Sequence, residues 1–257
     1  MPALTHTGDP WTRRLVVAPR GRLRLVCFPH AGGSASYFRP LAIALWPDME
    51  TVAVQYPGRQ ERRAEAPLES VEQLADAAFE ALRDPPPGPF ALFGHSLGGL
   101  VAFEVARRFE ATGGPRPVRL FASAVSAPSV LRWPTAHLAD DETLIAELCV
   151  LGGTSLSRLS AAEIRALSLP AVRADYRAVE RYRPEPGARV RCPLTVLVGT
   201  EDPIVSLRDA AAWRAHTSAG GATRTFTGGH FYLDRQIQAV ADTVTDALAP
   251  QLATPLP

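Results

Sequence analysis

The sequence predicts an α/β fold: a mostly parallel sheet, helices on both faces, and an inserted group of helices. Three observations carry that reading. Short apolar runs that read as buried strands, at residues 22–28, 51–56, 90–93, 118–125 and 193–198, alternate with helix-compatible runs. The strand runs are mainly apolar rather than alternating, as expected for strands covered on both faces and joined by right-handed crossovers. From about residue 128 to residue 187 the alternation stops, and three helix-like runs follow one another. At 257 residues the chain can bury a large core, and one domain with an insertion is the natural division. Residues 1–127 and 188–257 are assigned to the core and residues 128–187 to the insertion, a helical lid.

The elements follow in order. Residues 1–10 read as a loose tail. Residues 15–17 and 22–28 read as two strands, with a turn at Pro19-Arg20-Gly21. Residues 37–46 form a helix candidate, with Pro40 confined to its first turn. After the strand at 51–56 comes a polar loop, Pro57-Gly58-Arg59-Gln60-Glu61-Arg62-Arg63. Ser70-Val71-Glu72-Gln73 has capping-box spacing and starts a helix that ends near Arg83. Residues 84–89, rich in proline, feed the strand at 90–93. Residues 140–151, 161–167 and 171–182 are the three helices of the insertion, and the first two begin with acidic turns. The sheet resumes at 193–198. A helix at 206–215, a last short strand at 222–226 and a closing helix at 236–248 complete the chain, whose final residues should fray.

Bulk properties exclude several function classes. Formal net charge is +1, so no global field points to nucleic acid or to a membrane surface. All 27 basic residues are Arg, and both Lys and Asn are absent, which reads as GC-rich coding. Cys27, Cys149 and Cys192 are far apart and fit reduced thiols better than a disulfide framework or a zinc site. The N-terminus lacks the pattern of a secretory signal, and no apolar run approaches the roughly 20 residues of a membrane span. The expectation is a soluble cytoplasmic monomer that needs no metal or other cofactor.

The chemistry centres on Gly94-His95-Ser96-Leu97-Gly98. An apolar strand enters this Gly-x-Ser-x-Gly and a helix leaves it, the context that gives the motif meaning. Such a turn strains the serine backbone and holds the hydroxyl out of the sheet. The helix behind it offers unpaired N–H groups to a developing oxyanion. Ser96 is the candidate nucleophile. The first parallel strand runs into Pro29-His30-Ala31-Gly32-Gly33, whose small residues let main-chain amides approach a ligand. The Ala31 and Leu97 N–H groups are the candidate oxyanion donors.

A serine at neutral pH needs a base, and the base an orienting acid. Of six histidines, His230 follows the last strand on a Gly-Gly loop, beyond the carboxyl ends of the strands where parallel-sheet enzymes place chemistry. His6 is in the tail, His137 in the insertion, and His216 follows a surface-like helix. His95 adjoins the nucleophile and should point elsewhere. Asp202 lies at a strand end between Ser96 and His230 in chain order, as the acid should. Arg59, Arg62 and Arg63 form a tentative docking site for an acidic partner or a phosphate, since guanidinium groups pair with phosphate oxygens. A solvated loop is the plainer reading of that run.

Phe28-Pro29-His30-Ala31-Gly32-Gly33, Tyr56-Pro57-Gly58-Arg59, Gly94-His95-Ser96-Leu97-Gly98-Gly99, residues 169–176 and Gly228-Gly229-His230-Phe231 together resemble the type II thioesterases of the α/β-hydrolase superfamily. These are stand-alone editing enzymes of polyketide and nonribosomal peptide assembly lines. The resemblance covers about residues 12–248, and it departs from the family at Ala139, where Ser is expected. It implies hydrolysis of short or misprimed acyl groups from the phosphopantetheine thiol of acyl or peptidyl carrier proteins. The same triad would also serve an acyltransferase, a cyclase or a general esterase, and a noncatalytic binding protein can sit on such a scaffold.

Overall fold

The computed structural model describes residues 5–6, 9–18, 23–83, 88–132, 135–151 and 160–253. The turn expected at Pro19-Arg20-Gly21 and most of the proline run at 84–89 lie outside them. Eight strands form one sheet: β1 (Thr5–His6), β2 (Thr12–Val16), β3 (Leu23–Phe28), β4 (Met49–Val54), β5 (Phe90–His95), β6 (Leu120–Ser123), β7 (Leu194–Gly199) and β8 (Gly221–Phe226). Their spatial order is β1-β2-β4-β3-β5-β6-β7-β8, antiparallel at β1-β2-β4 and parallel from β4 onward. The tail is therefore not wholly loose, because Thr5 and His6 pair with Arg14 and Arg13 at the sheet edge.

Alternate residues of each inner strand feed two separate cores. Val26 and Phe28 of β3, with Phe90 and Leu92 of β5, face one side. There α2 (Val71–Leu82) and α3 (Leu97–Ala111) cover them. Leu25, Cys27, Ala91 and Phe93 face the other side, against α1 (Arg39–Ala44) and α8 (Ile237–Ala253). This two-sided burial explains the mainly apolar strand runs in the sequence. Pro40 sits in the first turn of α1. Ser70 accepts from the Gln73 N–H to start α2.

No strand lies between β6 and β7 among the described residues. That stretch holds α4 (Asp141–Leu151), α5 (Ala161–Leu167) and α6 (Leu169–Arg181). A capping box at Ser160 and Glu163 starts α5. Leu144 and Leu148 of α4 pack with Leu169 and Val172 of α6 in a small core of their own. Ala178 of α6, and Tyr182 just past its end, belong instead to the main core. A second capping box, at Ser206 and Asp209, starts the short α7 (Leu207–Ala211), and a tight turn through His216 follows. The closing helix runs five residues beyond the expected end at Leu248.

Candidate active site

The parallel strands β3, β5, β6, β7 and β8 end on one edge of the sheet, and the candidate residues gather there. Ser96 has φ 55° and ψ −123°, in the left-handed half of backbone space that a side-chain-bearing residue rarely takes. The strain is held by close packing on both sides. A Cβ on Gly94 would lie 2.1 Å from the Gly98 carbonyl oxygen, and one on Gly98 would lie 2.0 Å from the Phe28 oxygen. Those two glycines let β5, α3 and the end of β3 meet main chain to main chain. The Ser96 N–H donates to the Ser123 carbonyl at 2.8 Å, which ties the elbow to β6. Ser96 remains partly exposed.

Asp202 and His230 are brought together by a second close approach. A Cβ on Gly199 would lie 2.3 Å from the Gly229 oxygen, so the loops after β7 and β8 run in direct contact. The Thr200 N–H donates to Phe226 O and the Glu201 N–H to Gly228 O. In that frame the His230 Nδ1 lies 2.9 Å from Asp202 Oδ2, with both side chains almost fully buried. The other Asp202 oxygen accepts from the Ile204 and Val205 N–H groups at 2.8 and 3.1 Å. Asp202 thus orients an imidazole and caps its own loop at once. Burial alone would raise its carboxyl. The His230 hydrogen bond and charge, together with the two amides, outweigh that and hold it below the usual range. An ionised carboxylate only accepts, so Nδ1 carries the proton and Nε2 is left as the basic nitrogen.

The His230 ring centroid is 5.6 Å from that of His95, the residue before the serine. His95 is fully buried, with Nδ1 2.8 Å from Ser123 Oγ. Ser123 Oγ in turn lies 2.6 Å from the Tyr232 hydroxyl. His95 is therefore part of the frame between the elbow and the His230 loop. His30 is buried against Tyr37 and Phe231. Burial, with the nearby His230 and Arg59 charges, lowers its pKa to about 3. Ala31 follows it and is partly exposed. Leu97 is the first residue of α3, so its N–H has no partner within the helix.

The arginine loop departs from the expected docking site. Arg59 is 4% exposed, pairs with Asp175 of α6, and donates to the Pro57 carbonyl at 2.6 Å. Arg62 is 6% exposed, packs over Trp11, and donates to Gln55 O and to Glu65. Both cations are committed inside the protein, and only Arg63 is exposed. His216 also differs from the surface position expected of it. It is buried beside Phe103 and Trp213, with Nδ1 on Ala188 O and Nε2 accepting from the Ser129 N–H. Asp175 had no assigned role in the sequence, although it lies in the 169–176 motif. It is fully buried and accepts from the Gly32 N–H at 2.7 Å, on the loop that carries Ala31. Its spacing from Val172 on α6 was the available signal.

Comparison with known proteins identifies the family. The thioesterase domain family model matches residues 23–248. Thioesterase PikA5 of Streptomyces venezuelae is 46% identical over 240 residues, covering 93% of this chain and 85% of PikA5. The solved structure of the type II thioesterase BorB from the borrelidin biosynthetic cluster superposes with a TM-score of 0.84 at 44% identity, covering 95% of this chain and 98% of BorB. RedJ, the thioesterase of the prodiginine pathway in Streptomyces coelicolor, superposes with a TM-score of 0.81 at 37% identity, covering 88% and 95%. The chain belongs to the thioesterase family, and within it stands with the type II thioesterases of the α/β-hydrolase fold.

Proposed function

We propose that this chain removes short or aberrant acyl groups from the phosphopantetheine thiol of acyl or peptidyl carrier proteins in a polyketide or nonribosomal peptide pathway. The observation that carries the reading is the 2.9 Å Asp202–His230 bond, made on loops beside a serine held at φ 55°. The partner class is supported by structural neighbours that come from NRPS/PKS biosynthetic pathways.

In this reading His230 Nε2 takes the Ser96 proton as Oγ attacks the thioester carbonyl. The Ala31 and Leu97 N–H groups bind the oxyanion. The carbonyl reforms and the C–S bond breaks, the His230 imidazolium returns its proton to the departing sulfur, and phosphopantetheine leaves as the thiol with the acyl group on Ser96. His230 then takes a proton from water, which attacks the acyl-enzyme, and the acid departs as Ser96 Oγ recovers its proton. A thiol leaves readily, so one base serves both half-reactions. Asp202, charged throughout, stabilises the imidazolium that forms at each step. Helices α4 to α6 act as the lid over the acyl group, residues 128–187 being its span, and they exclude bulk water. The protein works as a cytoplasmic monomer.

The test is a panel of acyl groups on one carrier protein, with the matching free phosphopantetheine thioesters as controls. Release of free acid, with an acyl adduct on Ser96 trapped by rapid quench and found by peptide mass spectrometry, is the expected result. Transfer of the acyl group to an added alcohol or amine in preference to water would mark an acyltransferase. Absence of both product and adduct would mark a binding protein.

A further inference from the structure

Asp175 is a fully buried carboxylate on α6, in the insertion, yet it reaches the loop after β3. Its Oδ2 accepts from the Gly32 N–H at 2.7 Å and from Arg59 Nη2, while Oδ1 has no partner among the described residues. One turn earlier on the same helix face, Val172 packs directly on Gly32: a Cβ there would lie 2.4 Å from Val172 Cγ2. Gly32 has φ +72°, so it is suited to that position by both space and backbone conformation.

These contacts fix both peptide planes around Ala31. The His30 carbonyl accepts from the Gly33 N–H at 2.9 Å, and that carbonyl shares a plane with the Ala31 N–H. In a trans peptide the two point in opposite directions, so the Ala31 N–H is turned away from Gly33. The next plane contains the Gly32 N–H, and Asp175 holds it. Two anchored planes leave the Ala31 amide little freedom to swing. Arg59 supplies the charge that lets Asp175 be buried, and it is itself held on Pro57 O over the Tyr56 ring.

We propose that Asp175 is a positioning residue for the oxyanion site. It holds the Ala31 N–H on target through Gly32, so that seating of α6 and completion of the oxyanion site are one event. This rests on the reading of Ala31 as an oxyanion donor.

The test compares Asp175→Ala with the double variant Asp175→Asn/Arg59→Met. The double variant keeps a Gly32 acceptor and leaves no lone buried charge. Two quantities are measured per active site titrated with a fluorophosphonate: kcat and KM for a small acyl thioester, and affinity for the corresponding trifluoromethyl ketone, which forms a tetrahedral adduct on serine. Asp175→Ala should lower kcat about 10- to 100-fold, with KM within about threefold, and weaken ketone binding in step. The double variant should recover most of both. Unchanged kcat per titrated site in Asp175→Ala overturns the proposal, as does an equal loss in the two variants. If the wild-type chain forms no ketone adduct and Ser96→Ala still turns over, the active-site reading itself fails and takes this proposal with it. Ketone binding by the wild type with Asp175 variants that match it removes the positioning role alone.

Discussion

At the Ser96 elbow, position is set by main chain against main chain. In the insertion between β6 and β7 it is set by side chains that reach across to the core. Ser96 is fixed by Gly94 and Gly98 packed on carbonyl oxygens at about van der Waals limits, and by its own N–H on Ser123. Helix α6 is fixed by the Asp175–Arg59 pair, by Arg177 on Glu69, and by the adjoining Tyr182 hydroxyl on Glu104 at 2.8 Å. Among the described residues, helix α4 shares a small core with α6 and makes ion pairs from Asp141 to Arg173 and Arg165. Backbone packing has few alternative arrangements, because a shift of a few tenths of an ångström meets a carbonyl. Side-chain anchors can be exchanged one at a time.

The comparison breaks most sharply at the serine. Ser96→Ala should lower hydrolysis of a carrier-bound acyl thioester by about 10³-fold or more, with the thermal unfolding midpoint within about 1 °C of wild type. The strained φ belongs to the turn and not to the hydroxyl, so the fold has no reason to respond. Unchanged turnover in a folded variant would remove the nucleophile assignment.

Next in size is the frame itself. Gly98→Ala places a methyl group 2.0 Å from the Phe28 oxygen, with main chain on both sides and nothing flexible to yield. We expect a loss of about 3 kcal/mol or more in chemical denaturation, or no folded protein. Gly113→Ala is the control. Its added Cβ meets nothing within 4 Å, and only the φ of +70° is unfavourable, at a cost of about 1 kcal/mol. Similar losses in the two variants would show that packing does not hold the elbow.

These two contrasts also explain what the sequence made legible. The positions of the elbow, Asp202 and His230 were readable because they are set by local features: a glycine two residues either side of a serine, and a strand end before a loop. The core strands were readable for the same reason, since burial on both faces leaves a mainly apolar run. Arg59 and Arg62 misled because a charged loop reads alike whether its partners are solvent or a distant carboxylate. Asp175 lies 116 residues from Arg59. Nothing in local composition marks that pair, and only the packing of α6 on the sheet edge creates it. His216 misled similarly, since its partners Ala188 and Ser129 come from other parts of the chain.

A smaller effect lies in the pH dependence of stability at the elbow's neighbour, His30. Burial and the nearby His230 and Arg59 charges hold its pKa at about 3, against about 6.5 when unfolded. Between those values the unfolded chain binds a proton that the folded chain does not. Stability must therefore fall as pH drops through that window, by up to about 1.4 kcal/mol per pH unit for this one group. Asp202 acts in the same direction lower down, since its depressed carboxyl gives stability above its ordinary pKa that is lost as pH falls through the folded one. His30→Gln should flatten the stability profile between about pH 6 and pH 4 in urea titrations while leaving the Asp202 limb. An unaltered slope would mean that His30 is charged in the folded state.

The smallest expected effect separates the arginines of one loop. Arg63 is exposed, whereas Arg62 beside it is 6% exposed and bound to Glu65 and Gln55 O. Charge reversal at each therefore probes different physics. Arg63→Glu alters a surface potential that an acidic carrier protein would feel on approach, so KM for the carrier-bound substrate should rise about two- to fivefold and vanish as a difference at high salt, with free phosphopantetheine thioesters unaffected. Arg62→Glu places an anion among groups chosen for a cation, so it should lower the folded fraction and reduce turnover of both substrates equally. Equal effects of Arg63→Glu on carrier-bound and free substrates would place the docking surface elsewhere. A carrier-selective effect of Arg62→Glu in fully folded protein would show that burial had not withdrawn this guanidinium from the surface the partner meets.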